Sequence, residues 1–286
     1  GAVADQGGME GKVTAVTGFE KGSGKTTFLA TLLPLARLCG PVLIATIGVD
    51  GRLKAQEAGR AAALHVEPGD LVLTTDSFAR AASARLEVLE ALPGRTVLGR
   101  SLLGRVVRGG EVTLAGAEHF SALAQVLEQA RSEGWARTAL VDGAVNRITQ
   151  VSALGEVQFV FTARVDPANL VRVSDRLKAL VALADLPVAP EPDPSVHRLE
   201  GPLTPESRGG LPHDLSALSL EDFTKVFLEP VELLRLLERV PCSVRRGFPL
   251  MGISAALRDV PPEAFHRAVG PAVAARLLPD PFRVAA

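Results

Sequence analysis

The chain has 286 residues, of which 47% are hydrophobic, and its 31 basic and 32 acidic residues give a formal net charge of -1. This size and hydrophobicity predict one or two domains with a sizeable core. The balanced charge argues against nucleic-acid binding, and no apolar run is long enough to predict a membrane span. Cys39 and Cys242 lie far apart in apolar surroundings, which indicates buried free thiols, and with no signal-peptide pattern we expect a cytoplasmic protein.

The first predicted elements are a strand, a glycine-rich loop, a helix and a second strand. The β-branched residues 12–17 predict a short strand, and residues 25–38 predict a helix with a kink at Pro34. Residues 42–47 are apolar and too few for a helix, so they predict a buried parallel strand. This order of elements is a βαβ unit.

The middle of the chain predicts strands and helices in alternation. Strands are predicted at 69–75, 138–142 and 156–163, and helices at 77–92, 117–132 and 166–183. Residues 103–116 predict a β-hairpin that turns at Gly109 and Gly110. Asp166, followed by a proline, fits the N-cap of the helix that comes next.

A proline-rich segment divides the chain towards its end. Residues 186–194 contain four prolines and predict an extended connection. We therefore predict a first domain over 1–185, a connection over 186–200 and an α/β region over 201–286. Within that last region, strands are predicted at 224–230, 242–246 and 252–257, and a helix at 231–239.

The stretch 17–27, TGFEKGSGKTT, resembles a phosphate-binding loop with an unusual spacing. The common motif has a glycine five residues before the glycine of Gly-Lys-Thr, but Phe19 stands there and the glycine comes one residue earlier, at Gly18. The strand before the loop and the helix after it supply backbone N–H groups and a helix N-terminus for phosphate. We predict that ATP contacts Gly18, Lys21, Gly22, Ser23, Gly24, Lys25, Thr26 and Thr27.

The expected roles follow from the chemistry of the side chains. Lys25 would reach the β- and γ-phosphates, and the Thr26 hydroxyl would bind Mg²⁺. Asp142 ends the predicted strand TALVD in the Walker B manner, and Asp50 ends VLIATIGVD. We predict that both aspartates serve Mg²⁺ and catalysis, although Asp50 followed by Gly51 also fits an ordinary turn.

Two further residues keep two interpretations each. Arg147, in the stretch DGAVNR with Asn146, fits a contact to phosphate or to a partner protein, and equally a surface residue at the start of a helix. Lys21 is either a ligand of a partner subunit's phosphate or a solvated loop lysine. The chain shows no guanine-specificity signature, which favours ATP.

The loop resembles those of dethiobiotin synthetase-like proteins, with which it aligns without a gap. It is also similar to the loops of the MinD/ParA group, whose early additional lysine corresponds to Lys21 with a shift of one position. This resemblance implies an α/β P-loop NTPase fold with a mainly parallel sheet, here with a β-hairpin insertion and an α/β C-terminal extension.

A wider resemblance is to the small P-loop subunit of the lysine 5,6-aminomutase reactivase (KamB-like). The stretches that carry it are 17–27, 46–51, 66–75, 103–116, 141–147 and 224–237. It implies ATP, Mg²⁺ and ATPase activity in a chaperone that works with a MutS-like ATPase subunit to restore an adenosylcobalamin-dependent aminomutase. The chain departs from the relatives at Gly22 and in the sequence after Arg147.

Two other functions fit the same loop. A small-molecule ligase or kinase of the dethiobiotin synthetase type fits the loop spacing. A positioning ATPase of the MinD/ParA kind also fits, and it implies a possible homodimer.

Overall fold

The computed structural model describes residues 8–19, 25–46, 63–93, 98–115, 120–143 and 155–278. These residues divide into two compact units. Unit 1 ends at Thr162, and unit 2 begins at Ala163. The division differs from the predicted boundaries at residues 185 and 200, which follow the prolines rather than the packing.

Unit 1 is built on a mainly parallel sheet. Its strands, including a small separate ribbon, are β1 (Val13–Gly18), β2 (Val42–Thr46), β3 (Ala63–Val66), β4 (Leu71–Thr75), β5 (Arg85–Ala91), β6 (Ser101–Arg108), β7 (Gly110–Thr113), β8 (Thr138–Asp142) and β9 (Val157–Val165). The order in the sheet is β9-β1-β8-β2-β4-β6-β5, in which the neighbours from β9 to β4 are parallel and β6 is antiparallel to both β4 and β5. The ribbon pairs β3 with β7.

The central strands are buried along nearly their whole length because a parallel sheet is covered on both faces. All residues of β1 and of β4 are buried, whereas β5, at the end of the strand order, is mostly exposed or half-buried. The helices of unit 1 are α1 (Lys25–Arg37), α2 (Asp76–Ala81) and α3 (Phe120–Ser132). Pro34 lies inside α1 and does not end it.

A buried ion pair fixes the far end of α1. The Nε and Nη2 atoms of Arg37 donate to the Asp70 carboxylate at 3.0 and 2.7 Å. Asp70 is 2% exposed and also accepts from the backbone N of Glu67 at 2.9 Å. The hydrogen bond to Asp70 raises the pKa of the Arg37 guanidinium, in spite of the opposing effect of burial. The last turn of α1 is therefore tied to the turn before β4.

Unit 2 also combines helices with parallel strands. After the end of β9, its elements are α4 (Leu170–Ala184), β10 (His197–Arg198), α5 (Pro205–Gly209), β11 (Leu218–Leu220), a 3-10 helix (Phe223–Lys225), α6 (Pro230–Arg239), β12 (Cys242–Val244), β13 (Leu250–Leu257) and α7 (Pro262–Ala274). Strands β10, β11 and β12 form a parallel sheet. Leu233 and Leu236 of α6 pack into a core with Leu218 and Leu220.

The predicted fold class, α/β with a mainly parallel sheet, is confirmed. The strand before the glycine-rich sequence and the helix after it are present, as the P-loop NTPase architecture requires. Strands predicted at 42–47, 69–75, 138–142 and 156–163 and helices predicted at 117–132 and 231–239 are also present, within three residues at each end. In the part of the chain that the structure describes, no helix is long and apolar enough to cross a membrane.

The helix predicted over 77–92 is wrong beyond Ala81. Helix α2 ends there, and the chain then forms β5, which pairs antiparallel with β6. The residues of β5 favour a helix in isolation, but tertiary pairing overrides a propensity of this size. The C-cap residue of α2, Ala82, has extended backbone angles, so the helix cannot continue past Ala81.

The hairpin predicted over 103–116 is wrong in its pairing. Both of its strands exist as β6 and β7, but β6 pairs with β4 and β5, whereas β7 pairs with β3. At Gly110 a Cβ atom would lie 2.5 Å from the backbone N of Ala84. The glycine is therefore needed for close backbone packing rather than for a hairpin turn. The antiparallel pair of consecutive strands in this region is instead β5 with β6.

Two predictions in unit 2 need correction. Residues 224–230 do not form a strand: 224 and 225 belong to the 3-10 helix, Val226 makes only an isolated bridge with Leu203, and Pro230 begins α6. The N-cap of α4 is Asn169 rather than Asp166. Asp166 still accepts from the backbone N atoms of Ala168 and Asn169, both at 2.9 Å, so it stabilises the turn that leads into the helix.

Candidate functional site

The chain leaves β1 and β8 in opposite directions along the sheet. From β1 it passes over β8 to reach β2, whereas from β8 it passes over β1 to reach β9. Such a reversal leaves a crevice beyond the carboxyl ends of the two neighbouring strands, and ligands of open α/β sheets bind there. Gly18, the first glycine of the glycine-rich sequence, ends β1 at this edge of the sheet.

Asp142 lies at the carboxyl end of β8, in the middle of this edge. It is in register with Val16 of β1 and with Thr46 of β2. The next residue, Gly143, donates its backbone N–H to the Val16 carbonyl at 3.0 Å. The Asp142 side chain is half-buried. Because neighbouring strands lie about 4.8 Å apart, the carboxylate is one strand away from the start of the loop.

Phe19 stands where most phosphate-binding loops have glycine, and its ring packs on β9. The centroids of the Phe19 and Phe161 rings are 4.4 Å apart, with the ring planes tilted by 58°. Phe161 is fully buried and Phe19 is half-buried. The bulky residue is therefore accommodated against the sheet, and Gly18 before it pairs with Thr162 of β9.

The last two residues of β1 are held by β9 through polar contacts as well. The Thr162 hydroxyl donates to the carbonyl of Thr17 at 3.0 Å in a buried position. The hydroxyl of Thr17 itself is buried and has no hydrogen-bond partner among the described residues. A buried polar group without a partner costs about 1–3 kcal/mol. This orphaned hydroxyl lies where the chain enters the loop, which fits a site for a polar ligand or a polar loop segment.

The start of α1 suits an anion. The helix begins at Lys25, and its first turn contains no acidic residue. The backbone N–H groups of that turn therefore keep their partial positive charge for a phosphate group. Thr27 is exposed in the same turn, and its carbonyl accepts from the Thr31 hydroxyl at 3.1 Å.

Several predicted site residues lie outside the described part of the chain. The residues are Lys21, Gly22, Ser23, Gly24, Asp50, Asn146 and Arg147, together with the side chains of Lys25 and Thr26. Their roles stay predictions. Of the remaining members, Gly18 ends β1, Asp142 ends the neighbouring strand β8 in register with Val16, and Thr27 lies in the first turn of α1.

Magnesium binding fits the donors that the described residues supply. Within the described ranges, no group of three or more His, Cys, Asp and Glu residues could hold a metal by itself. Mg²⁺ differs from most metals because one or two carboxylates, together with phosphate oxygens and water, satisfy its octahedral shell. Asp142 offers one such carboxylate at the crevice.

A second acidic residue at this edge was missed by the sequence analysis. Asp76 directly follows β4, and the buried strand before it is the same signal that identified Asp142. Its Oδ1 atom accepts from the backbone N of Arg100 at 3.1 Å, and its Oδ2 atom lies 3.6 Å from Nη1 of Arg80. Because β2 separates β4 from β8, Asp76 and Asp142 are roughly 10 Å apart across the sheet.

The two cysteines are free, as predicted, but only half-buried. Burial raises the pKa of the Cys242 thiol to about 11. Burial and, to a smaller extent, the charge of Glu10 raise the pKa of Cys39. Both groups are therefore thiols rather than reactive thiolates at neutral pH.

Among known proteins, a solved structure resembles this chain, and the resemblance is weak. No family model matches the chain, and no curated protein matches it. Among solved structures, the chain is similar to the MinC:MinD cell division protein complex of Aquifex aeolicus, with 15% identity over 90% of this chain and 86% of that chain, at a TM-score of 0.32. A likeness of this degree carries no functional argument, so the function is argued from the site itself.

Proposed function

We propose that the protein binds Mg-ATP in the crevice beyond β1 and β8 and hydrolyses it. The observation that supports this most directly is the placement of Asp142. It ends the strand next to β1, in register with Val16, at the edge where the Gly-Lys-Thr sequence leads into α1. A phosphate-binding loop needs such a carboxylate one strand away, where it can serve the metal that accompanies the phosphates.

Some residues would bind the phosphates, and others would hold the Mg²⁺ that neutralises their charge. The backbone N–H groups at the start of α1 would donate to phosphate oxygens, and Lys25 would reach the β- and γ-phosphates. The Thr26 hydroxyl and Asp142 would hold Mg²⁺, directly or through a bound water. Asp50 would orient the attacking water or a second ligand of the metal. Bound Mg²⁺ supplies charge stabilisation for the transferring phosphoryl group.

Calorimetry with Mg-ATP on the full chain tests the site. We expect Lys25→Ala to abolish binding while the unfolding temperature stays close to that of the wild type. Lys178→Ala is a matched control, because Lys178 lies on α4 of unit 2, where its Nζ is 3.7 Å from the Asp175 carboxylate. Unchanged affinity in Lys25→Ala would show that the loop assignment is wrong.

We further propose that the ATPase acts on a partner enzyme, as the reactivating subunit for an adenosylcobalamin-dependent aminomutase. The support is the resemblance of six separate stretches to the reactivase subunit. In this proposal ATP shifts the chain between partner-bound states, so that a MutS-like subunit and the aminomutase release a damaged cofactor. The protein alone should then be a slow ATPase.

Reconstitution tests the partner. We expect the ATPase rate of the chain to rise when the aminomutase and the MutS-like subunit are added together. The Asp142→Asn variant serves as the inactive control for contaminating ATPases. A rate that does not respond to either partner, in a chain that binds Mg-ATP, would exclude the reactivase role and leave the ATP site standing.

A second candidate is a small-molecule ligase or kinase of the dethiobiotin synthetase type. The observation that favours it is the loop length, with Gly18 six positions before Gly24. Such an enzyme needs an acceptor site, for which the sequence shows no clear set of residues. ATP consumption with a panel of carboxylic acids and amines, in the absence of any partner protein, would distinguish it from the reactivase.

A further inference from the structure

Two neighbouring residues of β9 contact the residues on either side of Gly18. The buried ring of Phe161 packs on Phe19, with centroids 4.4 Å apart. The buried hydroxyl of Thr162 donates to the carbonyl of Thr17 at 3.0 Å. We call this pair of residues, Phe161 and Thr162, the β9 clamp.

The clamp acts where the chain turns from a rigid strand into a glycine-containing loop. Ordering a chain segment around a ligand costs conformational entropy, and glycine has the most backbone freedom to lose. Contacts that fix the direction of the chain before the ligand arrives reduce this cost. Phe161 and Thr162 are 0% and 1% exposed, so the strand that provides these contacts is itself immobilised by packing.

Phe19 provides the side chain that β9 contacts, at a position where the common motif has glycine. With glycine in this place, as in the common motif, the chain would have no side chain by which a neighbouring strand could hold it. Here the ring of Phe19 makes an aromatic contact with Phe161 that a glycine could not make. The lengthened loop therefore starts from an anchored residue.

We propose that Phe161 and Thr162 are positioning residues that preorganise the loop for the polyphosphate of a nucleoside triphosphate, through Phe19 and Thr17. The proposal rests on the nucleotide site proposed above. It assigns a binding role to a strand that carries neither of the acidic residues expected to serve the metal. It also gives a reason for the phenylalanine at the position of the missing glycine.

A double-mutant cycle on the full chain tests the aromatic half of the clamp. We expect Phe19→Leu and Phe161→Leu each to raise the Kd for Mg-ATP about three- to tenfold. The double variant should bind no more weakly than the weaker single variant, because both changes remove the same contact. Two additive losses, or no loss in either single variant, would overturn the proposal.

A matched control separates positioning from general stability. Phe159 is as buried as Phe161, lies two residues earlier on the same face of β9, and is in register with Ala15 rather than with a residue next to the loop. We expect Phe159→Leu to lower the unfolding temperature as much as Phe161→Leu while leaving the Kd unchanged. An equal rise in Kd for both variants would mean that the effect is only structural.

The hydroxyl half of the clamp has its own conservative test. Thr162→Ser keeps the donor to the Thr17 carbonyl and should bind Mg-ATP like the wild type, whereas Thr162→Val should bind several-fold more weakly. If Phe161→Leu fails to fold, the test uses Phe19→Leu, at a half-buried position, together with the two Thr162 variants. Wild-type affinity for Mg-ATP in Phe19→Leu, Thr162→Ser and Thr162→Val would refute the proposal. If the wild-type chain binds no Mg-ATP, the nucleotide site fails first. Binding that Lys25→Ala abolishes but the clamp variants leave intact would refute the clamp alone.

Discussion

Two aspartates stand at the carboxyl ends of buried strands of the central sheet, at different distances from β1. Asp76 is engaged by the backbone N of Arg100 and by Arg80, so it serves the start of α2. Asp142 stands beside β1, at the edge where the loop begins. Asp142 is therefore the candidate metal ligand because its strand adjoins β1, whereas β8 and β2 separate the strand before Asp76 from β1.

We expect Asp142→Asn to lower the ATPase rate about 10²- to 10³-fold, because an amide cannot neutralise the metal as a carboxylate does. The change keeps the size of the side chain, so the unfolding temperature should stay nearly the same. Rates measured over a range of Mg²⁺ concentrations check this. Asp76→Asn is the matched control and should retain the wild-type rate, and a similar loss in both variants would contradict the assignment.

The thiols offer a test of burial through pH. With a pKa of about 11, Cys242 is roughly 1% thiolate at pH 9, since the thiolate fraction falls tenfold for each pH unit below the pKa. We expect its alkylation by iodoacetamide to rise about tenfold per pH unit between pH 8 and 10, as followed by mass spectrometry of the digested protein. A rate that levels off by pH 9 would show that the thiol is more exposed than the structure indicates.

At this scale the sequence predicted Asp142 and Gly18 at the carboxyl edge of the sheet, because strand ends and glycines are local signals. The contact between Phe19 and Phe161 could not be predicted from the sequence. Residues so far apart in the chain meet only through the strand order of the sheet. Neither phenylalanine carries a local pattern that would indicate its partner.

Among the elements, α1 is the one that connects the candidate site to the rest of unit 1. Its first turn faces the predicted phosphates, and its last turn holds the Arg37–Asp70 ion pair. Removing one partner of a buried pair leaves the other charge desolvated. The pair therefore stabilises the helix that provides the anion-binding terminus.

We expect Arg37→Leu to lower the free energy of unfolding by about 3 kcal/mol, the lower end of the usual range, because the arginine keeps some exposure. Urea denaturation measures this loss. Arg80→Leu is the control, since its pair with Asp76 is mostly exposed and contributes less than about 1 kcal/mol. If both variants lower the free energy of unfolding by a similar amount, the buried pair stabilises the protein no more than the exposed one.

Elements were predictable where periodicity and burial agreed, as in β1, β8 and α6. They were not predictable where pairing partners decided the outcome. Residues 85–91 have a helical composition but form a strand because β6 lies beside them. Strands β6 and β7 follow each other in sequence yet belong to different sheets, which no local turn signal reveals.

In the whole molecule, the predicted nucleotide residues and the ion pair all belong to unit 1. A ligand that binds only the folded state lowers the rate of local opening around its site. We therefore expect Mg-ATP to slow hydrogen exchange in β1, α1 and the end of β8, and to leave α6 and β11 unchanged. Lys25→Ala should show no such protection, and protection confined to unit 2 would place the nucleotide elsewhere.

The division of the chain into units was not predictable from its prolines. The compact units meet at residues 162 and 163, inside the continuous strand β9, where nothing in the local composition marks a boundary. Prolines at 186–194 do end α4 and start an irregular segment. A break in secondary structure is a local property, whereas a domain boundary reflects the density of contacts over many elements.

The strand order has a consequence for folding during synthesis on the ribosome. The chain just before β1 already depends on a partner far downstream, because the backbone N of Gly11 donates to the Thr138 hydroxyl across 127 positions. At ordinary rates of translation, β8 is made about 6–25 s after β1. During that interval a strand whose residues are all buried in the folded protein has no neighbour in the central sheet. We expect a cell that makes this protein to shield the nascent segment with a chaperone, and expression at lower temperature to reduce its aggregation.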